Sequence, residues 1–370
     1  MSDLPKIIMV CIEPTPYVLD LIRALEKKWR GKIDVLFINE NFTQQWHIDN
    51  QHKILDKKTR RFTYLFKHYF NNKKYDAIFL AGWNHPTILF FLIMAKLYRI
   101  PVIVDSDTSL FRYTPFWKQV IKKCIYPILF KLPNHFLPSG TRQAQYLKHY
   151  LVPDHKITLE KMTVNVLGIQ NYIQQFSDDA RKKLRDQWRM TNNDFVFLFV
   201  GRLITRKGIE DLINAFSSIK NINIKCIIAG DGPLKTRVEI AAKNDQRLIY
   251  AGWLENKALL DLYLISDVFV LPAHWEPWGL VINEALAAGK PVIVSDQVGC
   301  VDDLVISGKT GIVFPAKNVT ALKEAMIGIL DDAKKREIYS KNAYQLIGQW
   351  TLQDSADQIM GVWERLIYDV

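Results

Sequence analysis

The chain has 370 residues, 49% hydrophobic, 24% charged and 12% aromatic, a globular composition that excludes disordered, collagen-like and coiled-coil chains. Its length predicts two domains. Its four cysteines lie far apart without a CxxC pair, which excludes a disulfide framework or a zinc module and is typical of a reducing cytosol. The net charge of +11 is concentrated in residues 1–150, which carry 23 Lys and Arg against 11 Asp and Glu.

The first half alternates short apolar runs with segments of helical period, a pattern that predicts βαβ units around a parallel sheet. The most apolar stretch, Ile88–Ala95, is far shorter than the roughly 20 residues that span a bilayer. Because no signal peptide is visible either, we expect a cytoplasmic protein that contacts a membrane from one side if at all. The predicted strands are Ile7–Ile12, Ile33–Ile38, Ala77–Leu80, Pro101–Val104, His135–Leu137 and Val164–Leu167.

The same alternation restarts after a charged helix predicted over Asp178–Arg189, and it predicts a second parallel sheet. Ligands of open parallel sheets bind outside the carboxyl ends of the strands, so two such sheets that face each other would bring two ligands into one cleft. The predicted strands are Phe195–Val200, Ile224–Ala229, Leu248–Ala251, Asp267–Leu271, Pro291–Ser295 and Gly311–Phe314.

The loop Gly201–Gly208 (GRLITRKG) follows a predicted buried strand and precedes a predicted helix. Its glycines permit a tight turn, and Arg202 and Lys207 would project near the carboxyl end of the strand, where a diphosphate could sit. The GxxxxGK[ST] pattern of a P-loop is absent. The alternative is a pair of exposed loop cations, which would be the preferred interpretation of this loop taken alone.

The segment Glu276–Glu284 (EPWGLVINE) opens a helix predicted over Gly279–Ala288. Free backbone N–H groups at the start of that helix favour an anion. The carboxylates of Glu276 and Glu284 could accept hydrogen bonds from different hydroxyls of one sugar or ribose ligand. The alternatives are a helix-dipole role for Glu276 and a solvated position for Glu284. The apolar neighbours of Glu284 indicate a largely buried helix, in which a carboxylate needs partners.

Residues 195–317 resemble the C-terminal domain of retaining GT-B glycosyltransferases of family 4, through VGRLITRKGIEDLINAF, IAGDGPL, AGWLENKALLDLYLISDVFVLP and EPWGLVINEALAAGKPVIVSD. The Glu-x7-Glu spacing of Glu276 and Glu284 is the signature of that family, and EPWG with Val298–Cys300 resembles one bacterial subgroup. The resemblance implies two Rossmann-like domains that face an interdomain cleft, residues 1–175 and 176–350. It also implies that a C-terminal helix over residues 351–370 packs back on the first domain.

The resemblance implies a retaining enzyme that moves a sugar from a nucleotide-sugar donor, bound by the second domain, to a glycan or lipid-linked acceptor, bound by the first. The pathway implied is bacterial cell-surface polysaccharide or lipopolysaccharide synthesis, with no cofactor and no metal. Arg202 and Lys207 would stabilise the leaving diphosphate, Glu276 would contact the transferred sugar, and Glu284 would bind the ribose. The other donor-binding positions implied are Gly230, Asp231, Trp253, Leu254, Trp278, Gly279, Leu280 and Val281.

On the acceptor side the chain departs from many relatives. A Pro-Thr-Pro turn replaces a glycine-rich loop, and Asp105-Ser-Asp107 stands in the region where many relatives carry a histidine. Asp105-Ser-Asp107 also matches the DxD pattern, which holds a divalent metal in the other glycosyltransferase fold. We favour a polar cleft wall or a helix cap over a metal site there. The acceptor-side residues that we predict are Thr15, Pro16, His85, Asp105 and Asp107.

Two segments mix basic and aromatic residues, Lys57–Lys74 and Phe116–Lys131, and suit contact with an anionic membrane surface. The alternatives are a solvated basic surface whose aromatics pack on the sheet, a phosphorylated glycan, and nucleic acid. No RNP, KH or helix-turn-helix pattern accompanies the charges, so we expect no nucleic-acid partner. Two other functions on the same architecture stay open, a nucleotide-sugar epimerase and a non-catalytic glycan-binding protein.

Overall fold

The computed structural model describes residues 4–40, 51–56, 58–71, 74–110 and 114–368. The chain divides into two compact units, the first made of residues 1–162 with 352–370 and the second of residues 163–351. Five residues of the predicted segments lie outside the described residues: Lys57, Asn72 and Lys73 of the first basic-aromatic segment, and Asp369 and Val370 at the end of the predicted C-terminal helix.

The first unit is built on a parallel six-stranded sheet, with the strand order β3-β2-β1-β4-β5-β6. The strands are β1 (Lys6–Cys11), β2 (Lys32–Phe37), β3 (Lys53–Ile54), β4 (Ala77–Ala81), β5 (Val102–Ser106) and β6 (His135–Pro138). The helices are α1 (Pro16–Lys28), α2 (Phe62–Leu65), α3 (Pro86–Tyr98), α4 (Phe116–Leu129) and α5 (Thr141–His149), and a π-helical turn over Phe66–Phe70 continues α2.

After Lys6, the central strand β1 is apolar because both faces of its sheet are covered. Successive side chains of a strand point to opposite faces, so Ile8 and Val10 enter one core cluster, whereas Ile7 and Met9 enter the other. The continuous apolar run in the sequence therefore corresponds to a strand buried on both sides.

The second unit is built on another parallel six-stranded sheet, with the strand order β12-β11-β10-β7-β8-β9. The strands are β7 (Phe195–Val200), β8 (Ile224–Ala229), β9 (Leu248–Gly252), β10 (Val268–Leu271), β11 (Val292–Ser295) and β12 (Gly311–Phe314). The helices are α6 (Val166–Gln174), α7 (Asp178–Gln187), α8 (Ile209–Ser217), α9 (Lys235–Asn244), α10 (Asn256–Ile265), α11 (Leu280–Ala287), α12 (Val301–Leu304), α13 (Val319–Leu330) and α14 (Ala333–Ile347).

After α14 the chain returns to the first unit as α15 (Leu352–Tyr368), which packs against α1. Trp363 is buried, and its ring meets the ring of Trp29 edge-on with centroids 5.3 Å apart. The Nζ of Lys28 also lies 2.6 Å from a carboxylate oxygen of Asp357. An apolar stripe and one ion pair thus attach the last helix to the first.

The two parallel sheets flanked by helices confirm the predicted pair of Rossmann-like domains. The predicted strand Val164–Leu167 is wrong, because a helix occupies this stretch. The side chain of Asn165 accepts a hydrogen bond of 3.0 Å from the backbone N–H of Gly168 and so caps α6, whose Val166 and Ile169 are buried three residues apart. Among the helices of the described ranges, none has both the length and the apolar composition needed to cross a bilayer.

Candidate active site

The second sheet reverses its strand order at β7, which pairs with β8 on one side and with β10 on the other. In open parallel sheets, ligands bind outside the carboxyl ends of the strands at such a reversal. The loop after β7 contains residues 201–208, and the loop after β10 contains residues 272–279. The fold therefore brings both motif segments to the same edge of one sheet.

These two loops touch at Gly208, which has a φ of +68° and directly precedes α8. A Cβ at this position would lie 1.9 Å from the carbonyl oxygen of Pro272. The backbone N–H of His274 donates to the carbonyl of Arg206 at 2.8 Å, and the ring of His274 bonds to the carboxylate of Asp211 at 2.7 Å. Glycine at 208 is thus required both by backbone conformation and by the close approach of the second loop.

We expect Gly208→Ala to lower the free energy of unfolding by about 2–4 kcal/mol, because a left-handed φ and a backbone clash add. Gly289→Ala is the matched control, since Gly289 has the same φ of +68° and its nearest atom to an added Cβ is 3.5 Å away. The difference between the two urea denaturation curves isolates the clash. Equal losses in the two variants would show that the loops do not pack as described.

A three-residue ion cluster lies where the loops meet. The Nζ of Lys207 lies 2.8 Å from Oε2 of Glu276, and the Nη1 of Arg206 lies 2.8 Å from the same oxygen. The side chain of Lys207 is only 9% exposed and that of Glu276 13%. The aliphatic stem of Lys207 runs along Gly201, where an added Cβ would meet its Cε at 3.8 Å. Two cations therefore share one carboxylate oxygen in a partly desolvated position.

Sequence reasoning selected Arg202 and missed Arg206. The Arg206 guanidinium also donates to the carbonyl of Trp275 at 3.1 Å and lies 5.0 Å from the centre of that indole ring. The side chain of Arg202 is partly exposed and makes no ion pair with the residues that the structure describes. Arg202 and Arg206 both lie between Gly201 and Gly208 of the same loop. Their spacing in the sequence therefore did not show which of the two arginines faces Glu276.

Main-chain hydrogen bonds hold Glu276 against the loop that follows β11. Its N–H donates to the carbonyl of Gln297 at 3.1 Å, and its carbonyl accepts from the N–H of Gly299 at 3.0 Å. Trp278, predicted on the donor side, is 2% exposed, donates from Nε1 to Asn283 and stacks on Trp350 with centroids 5.6 Å apart. Its side chain packs the turn that carries Glu276.

Helix α11 begins beside this turn. Gly279 has a φ of +103° and is the residue before the first helical one, and a Cβ there would lie 3.0 Å from a methyl group of Val298. The backbone N–H groups at residues Leu280 and Val281, in the first turn of an α-helix, have no partner within the helix. The start of α11 thus offers partial positive charge at the edge of the sheet that carries Lys207.

Glu284 lies in α11 and is paired with a tyrosine that sequence reasoning missed. The buried Tyr263 hydroxyl donates to Oε2 of Glu284 at 2.7 Å. Burial raises the pKa of Glu284 to about 7, and the hydrogen bond from Tyr263 opposes that rise. The carboxylate that the sequence predicted to need a partner therefore has one, and it titrates near neutral pH.

The remaining donor-side candidates follow β8 and β9. The N–H of Gly230 donates to the carbonyl of Gly252 at 2.7 Å, and a Cβ at Gly230 would lie 1.9 Å from the carbonyl oxygen of Gly201. The carboxylate of Asp231 accepts from the N–H of Gly232 at 2.7 Å. Trp253, whose Nε1 donates to Glu255 at 3.1 Å, and Leu254 follow directly. These positions extend the same carboxyl edge of the sheet.

The first sheet reverses its order at β1, which pairs with β2 and β4. Thr15 and Pro16 follow β1, and His85 follows β4, so these acceptor-side candidates lie at the reversal of the first unit. Thr15 is buried and precedes α1, whereas Pro16 is exposed as its first residue. The Nδ1 of His85 accepts from the N–H of Thr87 at 3.2 Å and so caps α3, and burial lowers the pKa of His85.

Asp105 is the next-to-last residue of β5 and is hydrogen-bonded to Glu160, a buried carboxyl that the sequence did not indicate. Burial raises the pKa of Asp105 to about 7 and that of Glu160 well above its usual value. Asp107 is exposed, and its charge acts on both. Within the described ranges, no group of three or more His, Cys, Asp or Glu side chains has the arrangement of a metal site.

Comparison with known proteins shows that most of the second unit is similar to known glycosyltransferases. The family model for glycosyl transferases group 1 matches residues 180–346. An alpha-D-kanosaminyltransferase of Streptomyces kanamyceticus is 30% identical over 202 residues, 52% of each chain, so the chain spans about half the length of that relative. An alpha-monoglucosyldiacylglycerol synthase of Acholeplasma laidlawii is 32% identical over 273 residues, 68% of this chain and 66% of that protein.

Among solved structures, the HepE protein of Anabaena in complex with UDP and glucose superposes with a TM-score of 0.75 at 18% identity. The superposition covers 97% of this chain and 99% of that one. This likeness extends to both units and shows the shared GT-B fold. The site residues of the second unit lie inside the stretch that the family model matches.

Proposed function

We propose that the chain, whose residues 180–346 match the family model for glycosyl transferases group 1, transfers a sugar from a nucleotide-sugar donor with retention of anomeric configuration. The observation that carries this proposal is the ion cluster at the sheet reversal. Lys207, Arg206 and Glu276 meet there within 2.8 Å, at the edge from which α11 begins. Cations and helix N–H groups at one edge are suited to a diphosphate.

The departing nucleoside diphosphate gains negative charge as its bond to the sugar breaks. Lys207 and the first N–H groups of α11 would stabilise that charge without reorganising, because the ion cluster and the glycine turn already hold them in place. Arg202, which is partly exposed on the same loop, would add a guanidinium to the phosphate oxygens. The mechanism assigns this work to side chains and backbone and includes no metal or other cofactor.

Retention follows if the acceptor attacks from the face that the diphosphate leaves. In that step the acceptor oxygen bonds to the anomeric carbon, the bond between that carbon and the phosphate oxygen breaks, and the acceptor proton passes to the leaving phosphate. Fixed cations around the phosphate are what this route requires, since no protein carboxylate forms a covalent intermediate.

Glu276 would orient the transferred sugar. Both cations bind its Oε2, whereas its Oε1 makes no hydrogen bond with the described residues. We assign Oε1 the role of accepting a hydrogen bond from a sugar hydroxyl, while the cation pair holds the carboxylate in position. Glu284 would accept from a ribose hydroxyl in the same way.

For the acceptor we propose a glycan or a lipid-linked glycan at the cytoplasmic face of a bacterial membrane, bound by the first unit at the reversal of its sheet. Polar candidates gather there after β1, β4 and β5. The relative from Acholeplasma is named for a product built on diacylglycerol, which makes a lipid-bearing acceptor the first class to assay. Synthesis of cell-surface polysaccharide or lipopolysaccharide is the corresponding pathway.

A panel of nucleotide sugars tests the proposal by thermal stabilisation. A ligand at 100 times its Kd stabilises the native state by about 2.7 kcal/mol, enough to single out one base and sugar. The selected donor is then incubated with lipid-linked acceptors, and NMR of the product reports the anomeric configuration. Inversion would contradict the mechanism, and turnover of the donor to a free epimer without acceptor would identify an epimerase instead.

Tyr263→Phe is expected to shift the pH dependence of donor binding. The wild-type KM for the donor should fall as pH rises through about 7, where Glu284 ionises. Removing the Tyr263 hydroxyl removes the hydrogen bond that favours the carboxylate, so the pKa of Glu284 rises and the KM at pH 7 increases roughly fivefold. The control is Tyr339→Phe, which removes the hydroxyl of another largely buried tyrosine, on α14. If the pH profile of Tyr263→Phe equals that of the wild type, the proposal that Glu284 binds the donor is wrong.

A further inference from the structure

Helix α4 lies on the first unit with none of its fourteen residues buried. Only a narrow inner side contacts the protein. Tyr126 and Leu129 pack against the core cluster, with the Tyr126 ring 6.2 Å from that of Trp83. The rest of the helix faces outward. A helix of this length normally buries one apolar stripe against its core, so the composition of the outer side of α4 is informative.

The outer side of α4 is apolar. Positions 117, 121, 124 and 128 follow one another at helical spacing on the side opposite Tyr126. Phe116 is 80% exposed, Trp117 59% and Ile128 69%. The alternative interpretation of this segment was a solvated basic surface whose aromatic side chains pack on the sheet. In α4 the aromatic and aliphatic side chains instead face outward. The exposed apolar residues of the helix are Phe116, Trp117, Val120, Ile121, Ile125 and Ile128.

The charge around this stripe has one sign. Lys118 and Lys123 are exposed on α4, and Lys131 is exposed just after it. No Asp or Glu occurs in the sequence between Asp107 and Asp154. The surface therefore combines apolar side chains with cations and offers no carboxylate, within the helix or beside it in sequence, to a basic partner.

We propose that the outer face of α4 docks on an anionic lipid bilayer, with its apolar side chains among the acyl chains and its lysines at the headgroups. A second copy of the chain fits less well, because two such faces would bring lysines together with no carboxylate between them. Nucleic acid would leave the exposed isoleucines and valine without a partner. The proposal concerns a surface outside the donor site and stands or falls independently of the transferase activity.

The other basic-aromatic segment does not share this property. Of its described residues, Leu65, Tyr69 and Phe70 are buried, and the ring of Phe62 stacks on that of Phe90 with centroids 4.9 Å apart. Most of its aromatic surface is thus already covered. Docking is assigned to α4 alone.

Cys124 lies on the outer face of α4 and is exposed, whereas the other three cysteines are buried. A polarity-sensitive fluorophore attached to the native Cys124 therefore reports on this face without any substitution. With vesicles of phosphatidylcholine containing about 30% phosphatidylglycerol, we expect a blue shift of emission and co-flotation of unlabelled protein. Pure phosphatidylcholine should produce little of either, and 1 M salt should reverse both because the Debye length falls to about 3 Å.

The double variant Lys118→Gln with Lys123→Gln should weaken binding to anionic vesicles about 30-fold, since each lysine near such a surface contributes roughly fivefold. Ile121→Gln with Ile128→Gln should weaken it more than tenfold. The matched control is Lys27→Gln with Arg30→Gln, which removes two exposed charges of the same unit from α1 and its end. It should bind within twofold of wild type, and circular dichroism checks that all variants fold.

Four results would overturn the proposal. They are no shift with anionic vesicles, equal weakening in the control, a concentration-dependent dimer lost in the isoleucine variant without vesicle binding, and binding to an oligonucleotide but not to vesicles. Loss of transfer to a lipid acceptor with vesicle binding intact would instead count against the proposed function, so the two failures are distinguishable.

Discussion

Replacing Lys207 by methionine should reduce kcat/KM for the nucleotide sugar by about 10²–10³-fold, the usual consequence of removing one fixed group that stabilises transition-state charge. Methionine keeps most of the stem that lies along Gly201 and removes the charge. The side chain is 9% exposed, so water replaces the lost cation poorly. Steady-state kinetics with the selected donor measures the effect.

The comparison variant for Lys207→Met is Arg206→Met. Arg206 binds the same oxygen of Glu276 but is 33% exposed and also holds the carbonyl of Trp275. We expect it to raise the KM for the donor with a smaller loss of kcat, because it positions Glu276 rather than the phosphate. Equal kinetic losses in the two variants would contradict this division of roles.

Replacing Glu276 by glutamine should lower kcat at least about 100-fold while the protein stays folded. The amide has nearly the same shape, but it cannot draw two cations to one oxygen, and its hydrogen bond to a sugar hydroxyl is weaker than that of a carboxylate. Kinetics measures the loss, and a urea denaturation curve shows whether the fold is retained. Full activity in Glu276→Gln would remove this residue from the mechanism.

Glu276 and Lys207 should also be coupled in stability. Each single variant leaves one partly buried charge with fewer partners, whereas the double variant removes both charges. The free-energy loss of the double variant should therefore be smaller than the sum of the single losses by about 1–2 kcal/mol. Additive losses would show that the 2.8 Å contact between them contributes nothing to the fold.

The sequence alone was sufficient for the strands of the second unit, because each is a mainly apolar run with a glycine or proline at one end or at both. Such runs are ambiguous when they are short. At Val164–Leu167 the side chain of Asn165 caps a helix, and the stretch is helical rather than a strand. The two-residue strand β3 carries too little pattern to be found.

The sequence placed Lys207 and Glu276 correctly at one edge of one sheet, because motif order along the chain implies which strand ends are neighbours. It could not choose between Arg202 and Arg206, since both lie in one loop and the choice depends on the path of the backbone around Gly208. It also missed Tyr263, because the partner of a buried carboxylate comes from a different helix.

The orientation of α4 on the first unit could likewise not be predicted from the sequence. An amphipathic pattern gives the angle between apolar and basic sides, but not which side the protein covers. In this unit the sheet beneath is already filled by large side chains such as Trp83 and Phe130, whose rings lie 4.7 Å apart. The apolar stripe of α4 is left outside.

We propose that the loops after β7 and β10 bind the diphosphate of a nucleotide sugar. Isothermal titration calorimetry with UDP, GDP and ADP on wild type, Lys207→Met and Lys334→Met tests it most directly, since Lys334 is an exposed lysine at the start of α14. We predict that one nucleotide binds wild type and Lys334→Met alike, and binds Lys207→Met about 100-fold more weakly. Equal binding to Lys207→Met, or no binding of any of these nucleotides to the wild type, would contradict it.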